Sequence, residues 1–401
     1  MIFAVALIFL CMESKGRAAC GYPGDLGNPA VADSVKAEIA DGAAPVDTVP
    51  TGSSGWQKFK KFFTESNKEK EDKKFDFGII GGPHYSNDVK LGLGVVASGL
   101  YSLDRSDPAL PKSNVSIYGD VSTTGFYLLG VRGDNFFPGE KYRLSYTLYT
   151  FSFPIYFWGI GYRNASDDRN KSQYKSKETS VGAEFLIKVA GNFYIGPNVN
   201  VDYVYGKDIE RPEFLGGQKN RLLSPGVGFS LMYDTRDVIT SAYQGIFLKL
   251  GQMAYPGFLG NKYAFGRTEV ITDFYQPLWK GAVLAADFHA ELNYGDIPWT
   301  MVAWLGGSNR MRGYYDGQYR DNNLAEAQME LRQHIYNRHG AVVWVGAGNV
   351  FRNFKSIRLN QTLPNYGIGY RWEFKKRVNI RLDYGFGKGQ SGFLFQINEA
   401  F

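Results

Sequence analysis

Cysteine and long apolar runs are nearly absent from this chain of 401 residues. Its two cysteines, Cys11 and Cys20, both lie near the amino-terminal end, so no disulfide can join distant segments. After the first dozen residues, no apolar run approaches the roughly 18 positions that a membrane-spanning helix requires. These two scarcities exclude a disulfide-stabilised fold and a helical membrane transporter.

Residues and motifs that usually carry catalysis are sparse as well. The four histidines show no His-Glu-x-x-His spacing, and the chain has no Gly-x-Ser-x-Gly elbow and no phosphate-binding glycine loop. The net charge of +6 is modest, and no basic patch alternates with aromatic residues as nucleic-acid channels require. We therefore expect no enzyme, no metal site, no cofactor and no nucleic-acid partner.

Aromatic residues, in contrast, are abundant. They make up 16% of the chain, with 27 tyrosines and 29 phenylalanines, while the mean hydropathy is only −0.28. Transmembrane β-barrels combine these two properties because only alternate residues face lipid and aromatic residues collect at both membrane interfaces. The composition therefore favours a membrane barrel over a soluble domain.

The first 74 residues form two segments without strand periodicity. A short apolar run, Ile2 to Leu10, precedes small residues that end at Cys20, which predicts a secretory signal peptide over residues 1–19. Cys20 itself is either a lipid-attachment site, a residue removed with the signal, or a free thiol.

Residues 20–74 are rich in Ala, Pro, Gly, Asp and Ser, which predicts a mostly disordered periplasmic segment. The charged stretch from Lys58 to Lys74 is either a solvated linker or part of a short amphipathic helix on the membrane surface or in the barrel. The apolar face of that helix would consist of Trp56, Phe59, Phe62 and Phe63.

From Phe75 onward, polar and apolar residues alternate. In the segment near the carboxyl end, Val378 and Ile380 would face lipid, whereas Arg381 and Asp383 would face an interior. A soluble sandwich also alternates, but its buried face would be aliphatic and its outer face would not be aromatic. Residues 75–401 therefore predict an all-β transmembrane antiparallel barrel.

About sixteen strand-like segments fit this region, eleven before residue 294 and five after residue 322, the last of them running to Phe401. Short and long connections alternate along the chain, as expected for periplasmic turns and extracellular loops. A barrel of this size has an aqueous lumen unless a segment fills it. The connection 294–322 is the candidate for an extracellular loop folded into that lumen.

The loop 294–322 contains the most informative motif of the chain. Gly306 and Gly307 precede Arg312, Gly313 and Tyr314, so a sharp bend can present one guanidinium for forked hydrogen bonds. The motif resembles the Arg-Gly-Tyr/Phe loop of the BamA/TamA superfamily of outer-membrane barrels, also called the bacterial surface antigen family. The resemblance implies that this loop folds back into the barrel lumen.

Three further segments resemble the same family. The turn from Tyr233 to Asp237, followed by Gly245, is similar to the family's turn before a long strand, and Glu330-Leu331-Arg332 is similar to its Glu-x-Arg strand. The carboxyl-terminal residues Phe393, Phe395 and Phe401 resemble the aromatic signal that the outer-membrane assembly machinery recognises in its clients. Simple anchoring at the membrane interface is the alternative for Phe401.

The resemblance implies a salt bridge from Arg312 to an inward-facing Asp on the second strand after the loop. Gly346 stands at that position in this chain. Glu330 is the best substitute because it faces the lumen by parity one strand away, and Asp383 is the next candidate. The alternative is a loop tip that backbone and water contacts hold alone.

Gly81, Gly82 and Pro83 lie in the first strand, where the barrel would close on the last strand. Proline lacks a ladder hydrogen bond and glycine lacks a side chain, so we expect either a weak lateral seam at these residues or simply a bend.

The family resemblance implies insertion or translocation of outer-membrane protein or lipid in the outer membrane of a Gram-negative bacterium. Its partners would be outer-membrane lipid, a client protein or lipid substrate, and the assembly machinery of which the barrel is itself a client. Residues 20–74 are too short for a periplasmic POTRA domain, the module that receives clients in this family. A passive or gated pore and a structural surface-antigen barrel therefore remain alternatives.

Overall fold

A computed structural model describes residues 75–86, 90–107 and 110–401. The predicted signal peptide, the segment 20–74 and Cys20 lie outside the described residues. Within the described part, no helix is long and apolar enough to cross a membrane.

Strands dominate the described part of the chain, and sixteen of them form one sheet in which each strand is antiparallel to the next. These strands are β1 (Phe75–Ser86), β2 (Lys90–Tyr101), β3 (Ser113–Ser122), β4 (Tyr127–Phe136), β5 (Tyr142–Phe157), β6 (Ser172–Ala190), β7 (Phe193–Lys207), β8 (Arg221–Asp234), β9 (Gly245–Tyr255), β10 (Phe265–Pro277), β11 (Ala282–Gly295), β14 (Asn323–Tyr336), β15 (His339–Phe351), β16 (Leu363–Lys375), β17 (Val378–Gly387) and β18 (Gln390–Ile397). The predicted number of sixteen strands is confirmed.

The remaining elements are short and lie in the connections. Strands β12 (Ala303–Leu305) and β13 (Tyr319–Asp321) pair with each other between β11 and β14. One helical turn, α1 (Tyr162–Ala165), follows β5. Single 3-10 turns occupy Pro138–Glu140, Asp168–Asn170, Pro212–Leu215, Gly257–Leu259, Phe354–Ser356 and Leu359–Gln361.

The period-two pattern sorts each strand into an apolar outer face and a lumenal face. On β15, Val343 and Val345 are 50% and 62% exposed, whereas Val342 and Trp344 are almost fully buried. Large apolar side chains on other strands, such as Ile368 on β16, are equally exposed. An apolar outer surface of this kind is stable only against lipid, so the arrangement is that of a membrane barrel.

Contacts across the sheet show that it curves into a cylinder. Arg377, between β16 and β17, pairs with Asp237, between β8 and β9. In a flat sheet these turns would lie about 29 Å apart, because six strand spacings of about 4.8 Å separate them. At the other end, the Nζ atom of Lys388 lies 2.9 Å from the Tyr162 hydroxyl, although many strands separate the two residues along the sheet.

The connections divide the barrel into two ends. The loop end carries the connections 158–171, 208–220, 256–264, 296–322 and 352–362. The turn end carries the two-residue turns 191–192, 337–338 and 376–377, together with the end of β18. The predicted alternation of short and long connections is therefore largely present, although the turn-end connections 102–112 and 235–244 are long as well.

Candidate functional site

The connection between β11 and β14, residues 296–322, crosses the lumen and is called the plug loop here. On one wall, Trp299 packs against Phe157 and Tyr174, with ring centroids 6.1 and 5.5 Å away. On the opposite wall, the Tyr314 hydroxyl donates to the Pro364 carbonyl at 2.7 Å. The plug loop therefore spans the lumen at the loop end, which places the predicted extracellular loop inside the barrel.

Glycine permits the bends and the close approach of the plug loop. Gly306 and Gly307 adopt φ of 118° and 129°, and Gly313 adopts φ of 100°, all in a region that L side chains rarely enter. A Cβ atom on Gly313 would lie 2.5 Å from the Gly385 carbonyl oxygen, and a Cβ atom on Gly385 would lie 2.2 Å from the Arg312 carbonyl oxygen. The loop tip can reach the wall of β17 because both facing residues are glycines.

Arg312 is completely buried at the tip of the plug loop. Its Nη1 atom donates to Asp383 at 2.6 Å, and its Nη2 atom donates to Glu330. The guanidinium carbon lies 3.7 Å from the ring centroid of Trp344, which adds a cation–π contact. The structure therefore brings Arg312 together with both carboxylates that the sequence suggested, rather than with only one.

Gly346 occupies the wall position at which the family resemblance implied an aspartate. A Cβ atom there would lie 3.0 Å from the Gln328 Cβ atom, so the neighbouring side chain fills part of the space. The Gln328 Oε1 atom accepts a long hydrogen bond of 3.4 Å from Arg312. Asp383 on β17 supplies the missing negative charge from a strand two places further along.

Six charged side chains form a closed ring of alternating sign, which we call the lumenal ion ring. Arg312 contacts Glu330 and Asp383; Arg332 contacts Glu330 at 2.9 Å and Glu399 at 3.8 Å; Arg371 contacts Glu399 at 2.8 Å and Asp383 at 2.5 Å. The ring joins the plug loop to β14, β16, β17 and the residues after β18. Because every member is at least nine-tenths buried, each charge depends on its two neighbours for compensation.

Two further arginines fix the plug loop beside the ring. Arg310 forms a forked pair with Asp287 on β11, with donor–acceptor distances of 2.8 to 3.1 Å. Arg381 on β17 donates to the Ser308 carbonyl at 2.9 Å. Neither contact was predicted from the sequence, although the spacing Arg310-x-Arg312 places a second guanidinium in the same loop.

The ionisation of two groups outside the spanning strands fits these contacts. Burial alone would raise the pKa of Glu399, but the charges of Arg371 and Arg332 outweigh it and lower the pKa to about 2. Burial raises the pKa of Tyr314 to about 12, so its hydroxyl keeps the proton that it donates to Pro364. The ring carboxylate and the loop-tip phenol therefore hold opposite, fixed protonation states near neutral pH.

The last four residues differ from the prediction. The last strand was predicted to run to Phe401, but it ends at Ile397, and Asn398 turns with φ of 69°. The chain then enters the lumen, where Glu399 joins the ion ring and the ring of Phe401 lies 6.2 Å from that of Tyr275. The inward turn occurs because Arg332 and Arg371 lie on the lumenal face and attract Glu399.

Phe401 is therefore buried inside the folded barrel and does not reach the membrane interface. Phe393 and Phe395 remain on the outer face of β18, half-buried. Recognition of these aromatic residues before folding stays a prediction.

The turn end of the barrel is covered by residues 235–244, which we call the turn-end loop. Its residue Asp237 pairs with Arg377, whose guanidinium lies 3.4 Å from the Tyr243 ring centroid. The Thr240 hydroxyl donates to the Arg377 carbonyl at 3.1 Å, and the Thr240 carbonyl accepts from Glu399. The family-like turn from Tyr233 to Asp237 thus begins a segment that crosses the lumen opposite the plug loop.

The predicted seam residues lie inside β1, and the strand continues through them. Gly81, Gly82 and Pro83 face Val95, Gly94 and Leu93 of β2 in unbroken register. Among the described residues, no ladder joins β1 to β18, and these are the two terminal strands of the sheet order. The triplet therefore lies at an edge of the sheet.

The fold and the site together define an outer-membrane-type β-barrel whose lumen holds its own loop. The Omp85 superfamily domain matches residues 116–401, and the chain belongs to that superfamily. The resemblance to BamA/TamA-type barrels is confirmed. A comparison with curated proteins gives no match.

Solved structures with a similar fold include BamA from Haemophilus ducreyi lacking POTRA domains 1–3, with a TM-score of 0.51 and 14% identity over 82% of this chain and 70% of that chain. CdiB from Escherichia coli gives a TM-score of 0.52 and 13% identity over 80% of this chain and 60% of that chain. The chain thus spans less than two thirds of the CdiB chain. At these identities the likeness concerns the fold.

Proposed function

We propose that this barrel inserts or translocates outer-membrane protein or lipid, and that it acts at the edge between β1 and β18 in the outer membrane of a Gram-negative bacterium. One observation carries the proposal: the sheet order ends in two edge strands, while the lumen is occupied from both ends. Edge strands present backbone groups to which a client strand can pair. The long loops would face the cell exterior, as in other barrels of this type.

Three features of the lumen argue against a passive pore. The plug loop reaches both walls, the ion ring holds its tip, and the turn-end loop crosses the opposite mouth. Breaking a buried ion pair costs about 3–5 kcal/mol, so spontaneous release of the plug would be infrequent. A substrate would therefore follow the edge strands and the adjoining lipid in preference to the lumen.

The geometry of the edge supports this path. β1 extends over twelve residues, whereas β18 has eight, because the chain turns inward after Ile397. The β17–β18 ladder ends at the pair Ile380–Ile397, and the Asn398 N–H donates to the Asn379 carbonyl at 2.7 Å before the chain turns inward. Because no ladder joins β1 to β18 among the described residues, a client strand could pair along the twelve residues of β1.

The experiment measures three activities of the purified full chain in vesicles: insertion of an unfolded client barrel, transbilayer movement of a labelled lipid, and ion conductance. Cys11 and Cys20 are replaced, and pairs of cysteines introduced into β1 and β18 are then screened for a disulfide that locks these two strands together. We expect insertion or lipid movement that oxidation abolishes and dithiothreitol restores, with low conductance.

Each other outcome contradicts the proposal. Steady conductance without insertion would indicate a pore. In that case, deletion of the plug loop should raise the conductance further. Absence of all three activities would indicate a structural surface barrel. Activity that persists when β1 and β18 are joined by any of the introduced disulfides would mean that the substrate does not pass between these two strands.

A further inference from the structure

The connection between β15 and β16, residues 352–362, has an unusual composition for a loop. It reads Arg-Asn-Phe-Lys-Ser-Ile-Arg-Leu-Asn-Gln-Thr, with three cationic residues and no carboxylate. Its apolar side chains are unusually exposed: Phe354 is 68% and Leu359 is 89% accessible. Exposure of large apolar groups to water is unfavourable. Exposed apolar side chains beside cationic residues therefore indicate a partner that is both apolar and anionic.

The loop bends outward, away from the lumen. Asn349 shares the outward parity of Val343 and Val345, and its side-chain amide donates to the Arg358 carbonyl at 3.1 Å and to the Thr362 hydroxyl at 3.2 Å. These two bonds draw the loop onto the outer face of β15. The loop therefore lies at the loop end of β15, next to the apolar outer surface that faces lipid.

The loop is ordered rather than extended. Asn353 and Ser356 form reciprocal hydrogen bonds that cap the 3-10 turn Phe354–Ser356, and a second turn follows at Leu359–Gln361. The Arg358 Nη1 atom donates to the carbonyls of Lys355 and Ile357 at 3.0 and 3.1 Å. The ordered turns thus hold Lys355 in the same short segment as the two exposed apolar residues, next to Phe354 and four residues before Leu359.

The cations are not neutralised within the protein. No ion pair in the part of the chain that the structure describes involves Lys355 or Arg358. Arg352 differs, because the carboxylate of Asp321 lies near enough to interact with it. Lys355 and Arg358 are therefore the two charges available to an external anion.

We propose that residues 353–361 form a docking site for the phosphate headgroups of anionic membrane lipids, with Phe354 and Leu359 inserted among the acyl chains and Lys355 and Arg358 at the phosphates. Apolar and basic residues at one depth are what binding to an anionic lipid interface requires. The site lies outside the lumen, between β15 and β16, and contains no residue of the edge strands β1 and β18, so it is independent of the proposed insertion activity.

The first test measures lipid retention by native mass spectrometry of the full chain in detergent with equal amounts of phosphatidylglycerol and phosphatidylcholine. A lysine near an anionic surface contributes about 1 kcal/mol, so Lys355→Gln should lower the preference for phosphatidylglycerol about fivefold. Lys280→Gln removes the same charge from an exposed turn at the opposite end and should change nothing. Heat-modifiable gel mobility verifies that each variant is folded.

No preference in the wild-type chain, or an equal loss in Lys280→Gln, would overturn the proposal.

A second measurement locates the apolar residues independently of charge. Cys11 and Cys20 are replaced, and a fluorophore is attached at Leu359→Cys or, as the lipid-facing reference, at Ile368→Cys, which lies on the outer face of β16 with 63% exposure. We expect nitroxide-labelled lipids to quench both probes. Quenching at residue 359 by aqueous iodide alone would place the loop in water and refute the inserted position.

Discussion

The lumenal ion ring makes a quantitative prediction for the substitution Asp383→Asn. Four guanidinium groups surround this region, those of Arg312, Arg332, Arg371 and Arg381, against the three carboxylates of the ring. Asp383→Asn leaves four cations against two anions in a buried environment. Removing one partner of a buried pair costs about 3–5 kcal/mol, which corresponds to roughly two to three and a half orders of magnitude in the folding equilibrium.

A second substitution tests whether charge balance is the cause. In the double variant Arg312→Gln/Asp383→Asn, three cations face two anions, so the excess of one positive charge equals that of the wild type. The chain Glu330–Arg332–Glu399–Arg371 still alternates in sign. We therefore expect the double variant to be no less stable than Asp383→Asn alone, with a coupling of about 0.5–3 kcal/mol.

The assay is urea unfolding in lipid vesicles, followed by the heat-modifiable mobility of the folded barrel on gels. Each single variant, the double variant and the wild type are measured at neutral pH. Additive losses in the double variant would refute the reasoning, because they would mean that Arg312 and Asp383 contribute independently of each other.

Three further predictions concern other parts of the site. Gly385→Ala places a Cβ atom 2.2 Å from the plug-tip carbonyl, so proteases should cleave the plug loop faster, whereas Gly257→Ala has no atom within 4 Å and should leave cleavage unchanged. Because the pKa of Glu399 is about 2 in the folded barrel against an ordinary 4.5, its contribution is complete above about pH 4.5 and is lost as pH falls toward 2; the urea midpoint should drop in that window, and less in Glu399→Gln. Arg377→Gln breaks the partly exposed pair with Asp237 and should lower stability by about 1 kcal/mol; an unchanged urea midpoint would contradict this role.

The outer and inner faces were predictable because side-chain alternation is a local property of a strand. Parity alone placed Val378 and Ile380 outside and Asp383 inside, and it placed Glu330 and Asp383 on the same lumenal surface. The motif of the plug loop was equally readable, since Gly313 next to Arg312 permits a close approach to the wall. These features require no knowledge of how distant strands meet.

The contacts between distant segments could not be predicted in the same way. Whether Arg312 reaches Glu330, Asp383 or both depends on the curvature of the barrel and on how deeply the plug loop descends, which many strands set together. The inward turn at Asn398 depends on Arg332 and Arg371, which lie on separate strands. Nothing local in the sequence after Ile397 distinguishes an extended strand from a segment that enters the lumen.

The ion ring has a consequence for the order of assembly. Its six members come from the plug loop, three different strands and the residues after the last strand, so the charges are matched only when all of these have arrived. A half-built barrel would retain guanidinium groups that still require water, and it would stay hydrated and open. The ring therefore couples seating of the plug loop to completion of the carboxyl-terminal wall, because neither segment neutralises the buried charges without the other.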